Sequence, residues 1–213
     1  MPRPAPADAN DRPLVVHGAG GHGRVVAAAA LALGIEPAGF VDDLRDPAEP
    51  VIVGGRAFRV GRTLSGFPAD AAVHVAIGDN ATRERVSRAA AAGAGRTRPT
   101  LVHPRAAVEA GASLGAGCFV GPLALVGVGV RVGDGCVVNS GALVEHDGAL
   151  GGFCHVAPGA VLGGGVRVGP RALLGLGCRV LPGLRVGADA VVGAGSVVLR
   201  GVADGETVRG VVR

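Results

Sequence analysis

The chain of 213 residues contains no lysine, no tryptophan and no tyrosine, and only five phenylalanines and four cysteines. Each shortage removes a class of function. All 21 basic residues are arginine, so the lysine-dependent chemistries are excluded. With so few aromatics, the stacking platforms that hold single-stranded nucleic acid are missing. The arginines are scattered among 17 acidic residues. The net charge of +4 therefore reads as a solvated surface with a few contacts to anionic ligands. The most apolar stretch, residues 25–33, is too short to span a bilayer. Residues 1–13 are rich in Pro, Ala and Asp and lack the apolar core of a signal peptide, so a soluble cytoplasmic protein is the expectation.

Glycine, by contrast, is abundant at 39 residues and lacks a collagen period. Its distribution follows a second pattern. Sixteen aliphatic residues recur every six positions from Val108 to Val198 without a miss, through Leu114, Val120, Val126, Val132 and onward. A helix or a flat sheet has no use for that period. A coil of three short strands and three turns does, because one aliphatic side chain per strand must point to a common interior. Ten of the sixteen are followed by glycine, where a tight corner would need a residue with free φ. The run amounts to five coils of eighteen residues.

The cysteines obey the same ruler. Cys118, Cys136, Cys154 and Cys178 each stand two residues before a periodic aliphatic, in a slot that other repeats fill with alanine or Ser196. They read as small buried side chains, poor candidates for a nucleophile. Neither a CxxC spacing nor a Cys/His cluster is present, and no metal is expected.

The residues before the repeats differ. Leu14-Val15-Val16 reads as a buried strand leading into Gly18-Ala19-Gly20-Gly21-His22-Gly23 and an alanine-rich helix to about Leu33. A second strand ends at Asp42-Asp43, and residues 51–60 form a hairpin or strand pair around Gly54-Gly55. A further strand over residues 73–77 ends at Gly78-Asp79-Asn80 before a helix over residues 81–92. Strands alternating with helices predict a small, mostly parallel α/β sheet. The expected division is a Rossmann-like domain over residues 14–100 and a coil domain over residues 101–213.

Two stretches carry chemistry. Gly18-x-Gly20-x-x-Gly23 has dinucleotide-binding spacing between a strand and a helix, and Asp42 follows nineteen residues after the last glycine. Such glycines let the backbone approach a phosphate, and the acid can hold a ribose hydroxyl. A tight βα turn without a ligand explains the same glycines. The sheet predicted is too small for a whole NAD, so a smaller nucleotide ligand fits better. Within the repeats, Asn139, Glu145 and Ala157 occupy slots that neighbouring coils fill with glycine, and they surround Glu145-His146-Asp147. A local break in a consistent rule marks a functional site. His146 falls outside the inward slots and projects from the coil; beside a carboxylate it has the makings of a general base. His155 sits one and a half repeats further on, on a different face. A surface His-Asp turn and a surface histidine remain the plain alternatives.

Taken together, Gly18-Ala-Gly-Gly-His-Gly23, Phe40-Val-Asp-Asp43, Ala76-Ile-Gly-Asp-Asn80, His103-Pro104, Asn139-Ser-Gly-Ala-Leu-Val-Glu-His-Asp147, His155-Val-Ala-Pro-Gly159 and Val180-Leu-Pro-Gly183 resemble one family over nearly the whole chain. This is the sialic acid O-acetyltransferase / nucleotide-amino-sugar N-acetyltransferase family, built on a left-handed parallel β-helix. The resemblance implies a homotrimer with active sites between adjacent coils. It also implies transfer from acetyl-CoA to a nucleotide-linked 4-amino-deoxy sugar. His146 matches the base and Asp147 its partner, although the acid is often glutamate in such proteins. Asn139 would lie near the acceptor amine. His155, Gly164, Leu176 and Ala194 match the acetyl-CoA channel, where the last position is often glycine. Gly20, Gly21, His22, Asp42, Asp43 and Gly78 match the nucleotide-sugar pocket. Relatives usually close with Gly-Val-Pro-Ala, and Gly210-Val-Val-Arg213 departs from that pattern. An O-acetyltransferase on a sialic-acid-like sugar, or a non-catalytic nucleotide-sugar-binding scaffold, would share most of these residues.

Overall fold

The computed structural model describes residues 12–92 and 96–213; residues 1–11, most of the opening segment, and 93–95 lie outside the described residues. By contact the chain falls into two compact units, Met1–Leu101 and Val102–Arg213. No helix among the described residues is long and apolar enough to cross a membrane.

The first unit runs β1 (Leu14–His17), α1 (Gly21–Ala32), β2 (Pro37–Val41), β3 (Val51–Val53), β4 (Arg56–Phe58), β5 (Val60–Gly61), β6 (Ala72–Val75) and α2 (Asn80–Ala92). Its sheet is parallel, in the order β5-β2-β1-β6. Runs of Val and Phe fill it on both faces, as parallel strands require: Val15, Val16, Phe40 and Val73 are all fully buried. β3 and β4 form the hairpin, turning on Gly54 and Gly55, both at positive φ. The chain passes from β1 outward to β2 and β5, then returns to β6 on the other side of β1. Strand order therefore reverses between β1 and β6, and the loops after these two strands stand where parallel α/β sheets commonly bind ligands.

The second unit is a three-sided parallel β-solenoid. Its faces are sheets of seven, seven and five two-residue strands. Strands pair with the strand eighteen residues on, as in Phe119↔Val137 and Val137↔His155. The inward residues, Val120, Val126, Val138, Leu162 and Leu174 among them, are fully buried, and the four cysteines stack with them. Pairing continues beyond the five coils read from the sequence. It begins with Leu101–Val102 and, after Val198, goes on through a bridge at Val202 to strands Thr207–Val208 and Val211–Val212, where the six-residue spacing has lapsed.

The glycines after the aliphatics are needed for a different reason from the one expected. None of the ten is at positive φ. A Cβ there would strike the backbone of the next coil: on Gly133 it would lie 2.7 Å from Gly152 N, and on Gly151 2.6 Å from Pro170 N. Close stacking of coils demands the missing side chain. The left-handed corner lies two residues further on, at Gly129, Gly135, Gly141 and Gly165. Five non-glycine residues also adopt it, Leu123, Asp147, Phe153, Arg171 and Asp189.

The outer surfaces of the faces differ. On the second face the outward position is apolar in Leu125, Leu143, Val161 and Val197 and charged in Arg179. On the third it carries Arg131, Arg167 and Arg185.

Candidate active site

His146 and Asp147 lie in the turn that follows strand Leu143–Val144, at the corner between the second and third faces. Asp147 is the left-handed residue of that corner, at φ 59°, a conformation that Asp tolerates better than most residues. Its N–H bonds Val128 O of the preceding coil at 2.9 Å, which fixes the corner. His146 Nδ1 lies 2.9 Å from Asp147 Oδ2. The carboxylate only accepts, so Nδ1 carries a proton, and in the neutral ring Nε2 is the nitrogen with the lone pair. Both side chains stand in solvent, 64% and 76% exposed.

Two glycines make room for this histidine. Beneath it, a Cβ on Gly127 would lie 2.9 Å from His146 N. Above it, a Cβ on Gly164 would lie 2.5 Å from Nε2 and 2.6 Å from Cε1. The Nε2–Cε1 side of the ring therefore packs against the next coil at Gly164. Gly164, matched to the acetyl-CoA channel by resemblance alone, also leaves room for the His146 ring. The signal was available in the sequence, since 164 is 146 plus one coil.

Asn139 and His155 meet at a different corner. Asn139 Oδ1 accepts the Ser140 N–H at 2.8 Å, which orients the amide, and Nδ2 faces His155 Nε2 at 3.2 Å. The amide nitrogen is a donor, so His155 Nε2 is the acceptor and the ring proton sits on Nδ1. Asn139 follows a first-face strand, whereas His146 follows a second-face strand. Within one chain, one coil thus holds His146 and Asn139 at separate corners. Leu176 and Ala194 stack one coil apart at the Asn139 corner, joined by Gly195 N–H to Leu176 O at 2.7 Å; Leu176 is 57% exposed.

The cysteines play no part. All four are fully buried. Sγ of Cys118, Cys136 and Cys154 donates to the carbonyls of Gly133, Gly151 and Gly169 at 2.9–3.1 Å. Burial pushes the thiol of Cys118 up to about 12 and that of Cys178 to about 11. Thiols so placed are inert.

In the first unit, the glycine loop has the geometry its spacing predicts. Gly18 is at φ 112°, and a Cβ on it would lie 2.7 Å from Ala76 O; a Cβ on Gly23 would strike Gly18 O. Gly20 caps α1 without any side-chain hydrogen bond, and the space beside Gly20 and Gly21 is open. His22 sits in the first turn of α1. Asp42 braces this loop, its Oδ2 accepting Ala19 N–H at 2.8 Å and its Oδ1 accepting Leu44 N–H at 3.0 Å. The Asp43 carbonyl accepts Arg62 Nη1 at 2.9 Å. His17, at the end of β1, is held below its ordinary pKa by burial, against the pull of Asp43 and Asp42.

Sequence reasoning missed a buried pair beside Gly78. Arg83 is 1% exposed, and its Nη1 donates to Ile77 O at 2.9 Å and Gly78 O at 3.2 Å, while Nη2 donates to Asn80 Oδ1 at 2.7 Å. His74, also 1% exposed, bonds Pro99 O through Nδ1 at 3.0 Å. Its pKa falls to about 4, chiefly through burial and further through Arg83, against the pull of the Pro99 carbonyl. An arginine inside a small α/β unit gave no periodic signal, because the buried stripe of helix α2 is itself largely polar: Asn80, Arg83 and Ser87, with Ala90.

The family model of the PglD N-terminal domain matches residues 13–90, and the hexapeptide repeat of succinyl-transferase matches residues 111–145 and 165–200. None of the curated proteins matches the chain. Among solved structures, it is 36% identical to a perosamine N-acetyltransferase variant from Caulobacter crescentus in complex with CoA and GDP-perosamine, covering 93% of both chains with a TM-score of 0.84. It is 38% identical to the acetyltransferase domain of PglB from Neisseria gonorrhoeae in complex with acetyl coenzyme A, covering 93% of this chain and 96% of that one with a TM-score of 0.86. WeeI from Acinetobacter baumannii shares the fold at 24% identity, 93% and 97% coverage and a TM-score of 0.78. With a glycine loop opening α1, a histidine braced at a solenoid corner and this likeness along nearly its whole length, the chain belongs to the hexapeptide-repeat acetyltransferases that carry a PglD-type N-terminal domain.

Proposed function

We propose that this protein transfers the acetyl group of acetyl-CoA to the amine of a nucleotide-linked 4-amino-deoxy sugar, with His146 as general base. The observation that carries the reading is the His146 ring itself. Its Nδ1 is held by Asp147 at 2.9 Å, which turns Nε2, the lone-pair nitrogen of the neutral ring, toward an exposed corner. As the sugar nitrogen attacks the thioester carbon, Nε2 takes the amine proton. Collapse of the tetrahedral intermediate breaks the C–S bond, and the proton passes to the departing thiolate, leaving amide and free CoA. No covalent enzyme intermediate is needed, only alignment of both substrates. The relatives support both: one is in complex with CoA and a GDP-linked amino sugar in a variant with one histidine replaced by asparagine.

The same reading takes the working form to be a homotrimer. The base and the Asn139–His155 pair stand at separate corners of one chain, so a neighbour's corner is what would complete the site. Apart from Arg179, the outer row of the second face is apolar at Leu125, Leu143, Val161 and Val197 and suits burial against a neighbour, whereas Arg131, Arg167 and Arg185 of the third suit solvent.

The test is thiol release from acetyl-CoA across a panel of GDP-, UDP- and dTDP-linked amino sugars and matching hydroxy sugars, repeated with His146→Ala. Release with amino sugars that collapses by at least about 10²-fold in the variant supports the proposal. Release with hydroxy sugars alone would convert it to an O-acetyltransferase, and unchanged turnover in the variant would remove the base.

A further inference from the structure

The loop after β6 is wrapped around a buried cation. Within four consecutive positions, Ile77 O, Gly78 O and Asn80 Oδ1 all accept from Arg83 at 2.7–3.2 Å. In a trans peptide, the N–H points opposite to the C=O that shares its plane. With Ile77 O and Gly78 O turned inward to Arg83, the N–H groups of Gly78 and Asp79 are turned outward. Neither N–H meets an acceptor among the described residues. Gly78 and Asp79 are exposed, and nothing lies within 4 Å of where a Gly78 side chain would begin. This pair of donors sits beside the strand-order reversal, against the glycine loop: Gly18 packs on Ala76 O, and Ala76 N–H bonds His17 O at 2.7 Å.

We infer that Arg83 is a positioning residue that presents the Gly78 and Asp79 N–H groups to a carbonyl oxygen on the base of the acceptor's nucleotide. This rests on the reading of Gly78 as part of the nucleotide-sugar pocket. The chemistry chooses a neutral oxygen over a phosphate. The Asp79 carboxylate stays beside the pair, its Oδ1 accepting Thr82 N–H at 2.8 Å, and it repels an anion. The diphosphate has the better place at Gly20 and Gly21, where α1 opens without a capping side chain or an acidic residue in its first turn. A base with a ring carbonyl, guanine, uracil or thymine, accepts from the pair. Adenine has no carbonyl oxygen, and where guanine presents O6 it presents the N6 amino group, a donor facing two donors.

Calorimetric binding of GDP, UDP and ADP to the full chain tests this. Two neutral hydrogen bonds predict that GDP or UDP binds about 10-fold or more tighter than ADP. Arg83→Met frees the two peptides, so that preference falls to within about 3-fold while acetyl-CoA binding holds. Arg83→Lys, which keeps the charge but lacks the planar fork, falls between. In turnover, the acceptor KM rises in Arg83→Met and kcat at saturation holds, a split that general loosening of the fold would not give. Should Arg83→Met fail to fold, the wild-type amide spectrum decides instead, with Gly78 and Asp79 N–H shifting on addition of GDP or UDP and not of ADP. ADP bound as tightly as GDP and UDP, or unmoved Gly78 and Asp79 amides, overturns the inference and leaves the acetyltransferase reading standing. No binding of any nucleotide overturns both.

Discussion

Replacing Gly164 by alanine displaces the proposed base without altering any group that reacts. The added Cβ would stand 2.5 Å from His146 Nε2, whereas ordinary contact begins near 3.4 Å. The imidazole must therefore retreat by about 0.9 Å, since the solenoid backbone around Gly164 is held by coil-to-coil hydrogen bonds such as Gly183 N–H to Gly164 O at 2.9 Å. Gly164 is not in the left-handed region, so alanine adds no backbone strain. The ring is 64% exposed and can swing away, which leaves stability nearly intact. A displacement of about 1 Å in a catalytic group costs roughly 10²-fold in rate, or about 2.7 kcal/mol of barrier. The assay is kcat for thiol release with both substrates saturating, so that any change in acetyl-CoA affinity appears separately in its KM. The expected result is kcat down by about 10²-fold with a melting temperature within about 2 °C of wild type. A kcat within about threefold of wild type would show that the ring's seat over Gly164 is irrelevant to the chemistry.

Two further outcomes follow from other parts of the chain. His74 is buried neutral with a pKa of about 4 against an ordinary 6.5, so its contribution to stability is complete above 6.5 and is lost as pH falls from there toward 4. Between pH 7 and pH 5 that loss is about 2 kcal/mol, and denaturant titrations of wild type and His74→Gln should differ by that much; equal slopes with pH would remove the effect. In the solenoid, Gly151→Ala puts a Cβ 2.6 Å from Pro170 N, while Gly141→Ala meets nothing within 4 Å but sits at φ 63°. The first should cost about 3 kcal/mol and the second about 1–2 in the same measurement, and the reverse order would refute the stacking account of the post-aliphatic glycines.

The six-residue period needed no tertiary information, because each strand of a coil must put one side chain inside, and a repeated geometry imposes a repeated sequence. That alone placed Val120, Leu162 and Cys118 indoors and His146 outdoors, where the structure has them. The α/β alternation was legible for a similar reason, since Leu14-Val15-Val16 and Val73 must be apolar on both sides of a parallel sheet. Contacts between residues one coil or one helix turn apart were not legible. That the ten glycines serve close approach rather than free φ, that Gly164 seats the His146 ring, and that Asn139 pairs with His155 all depend on how one coil settles on the next. Asp42 bracing Ala19 and Arg83 gathering three oxygens of its own loop depend on chain turns that no period records. A repeat fixes direction, inward or outward. Only the folded chain fixes distance, and the chemistry proposed at His146, like the binding proposed at Gly78, is decided by distances of about an ångström.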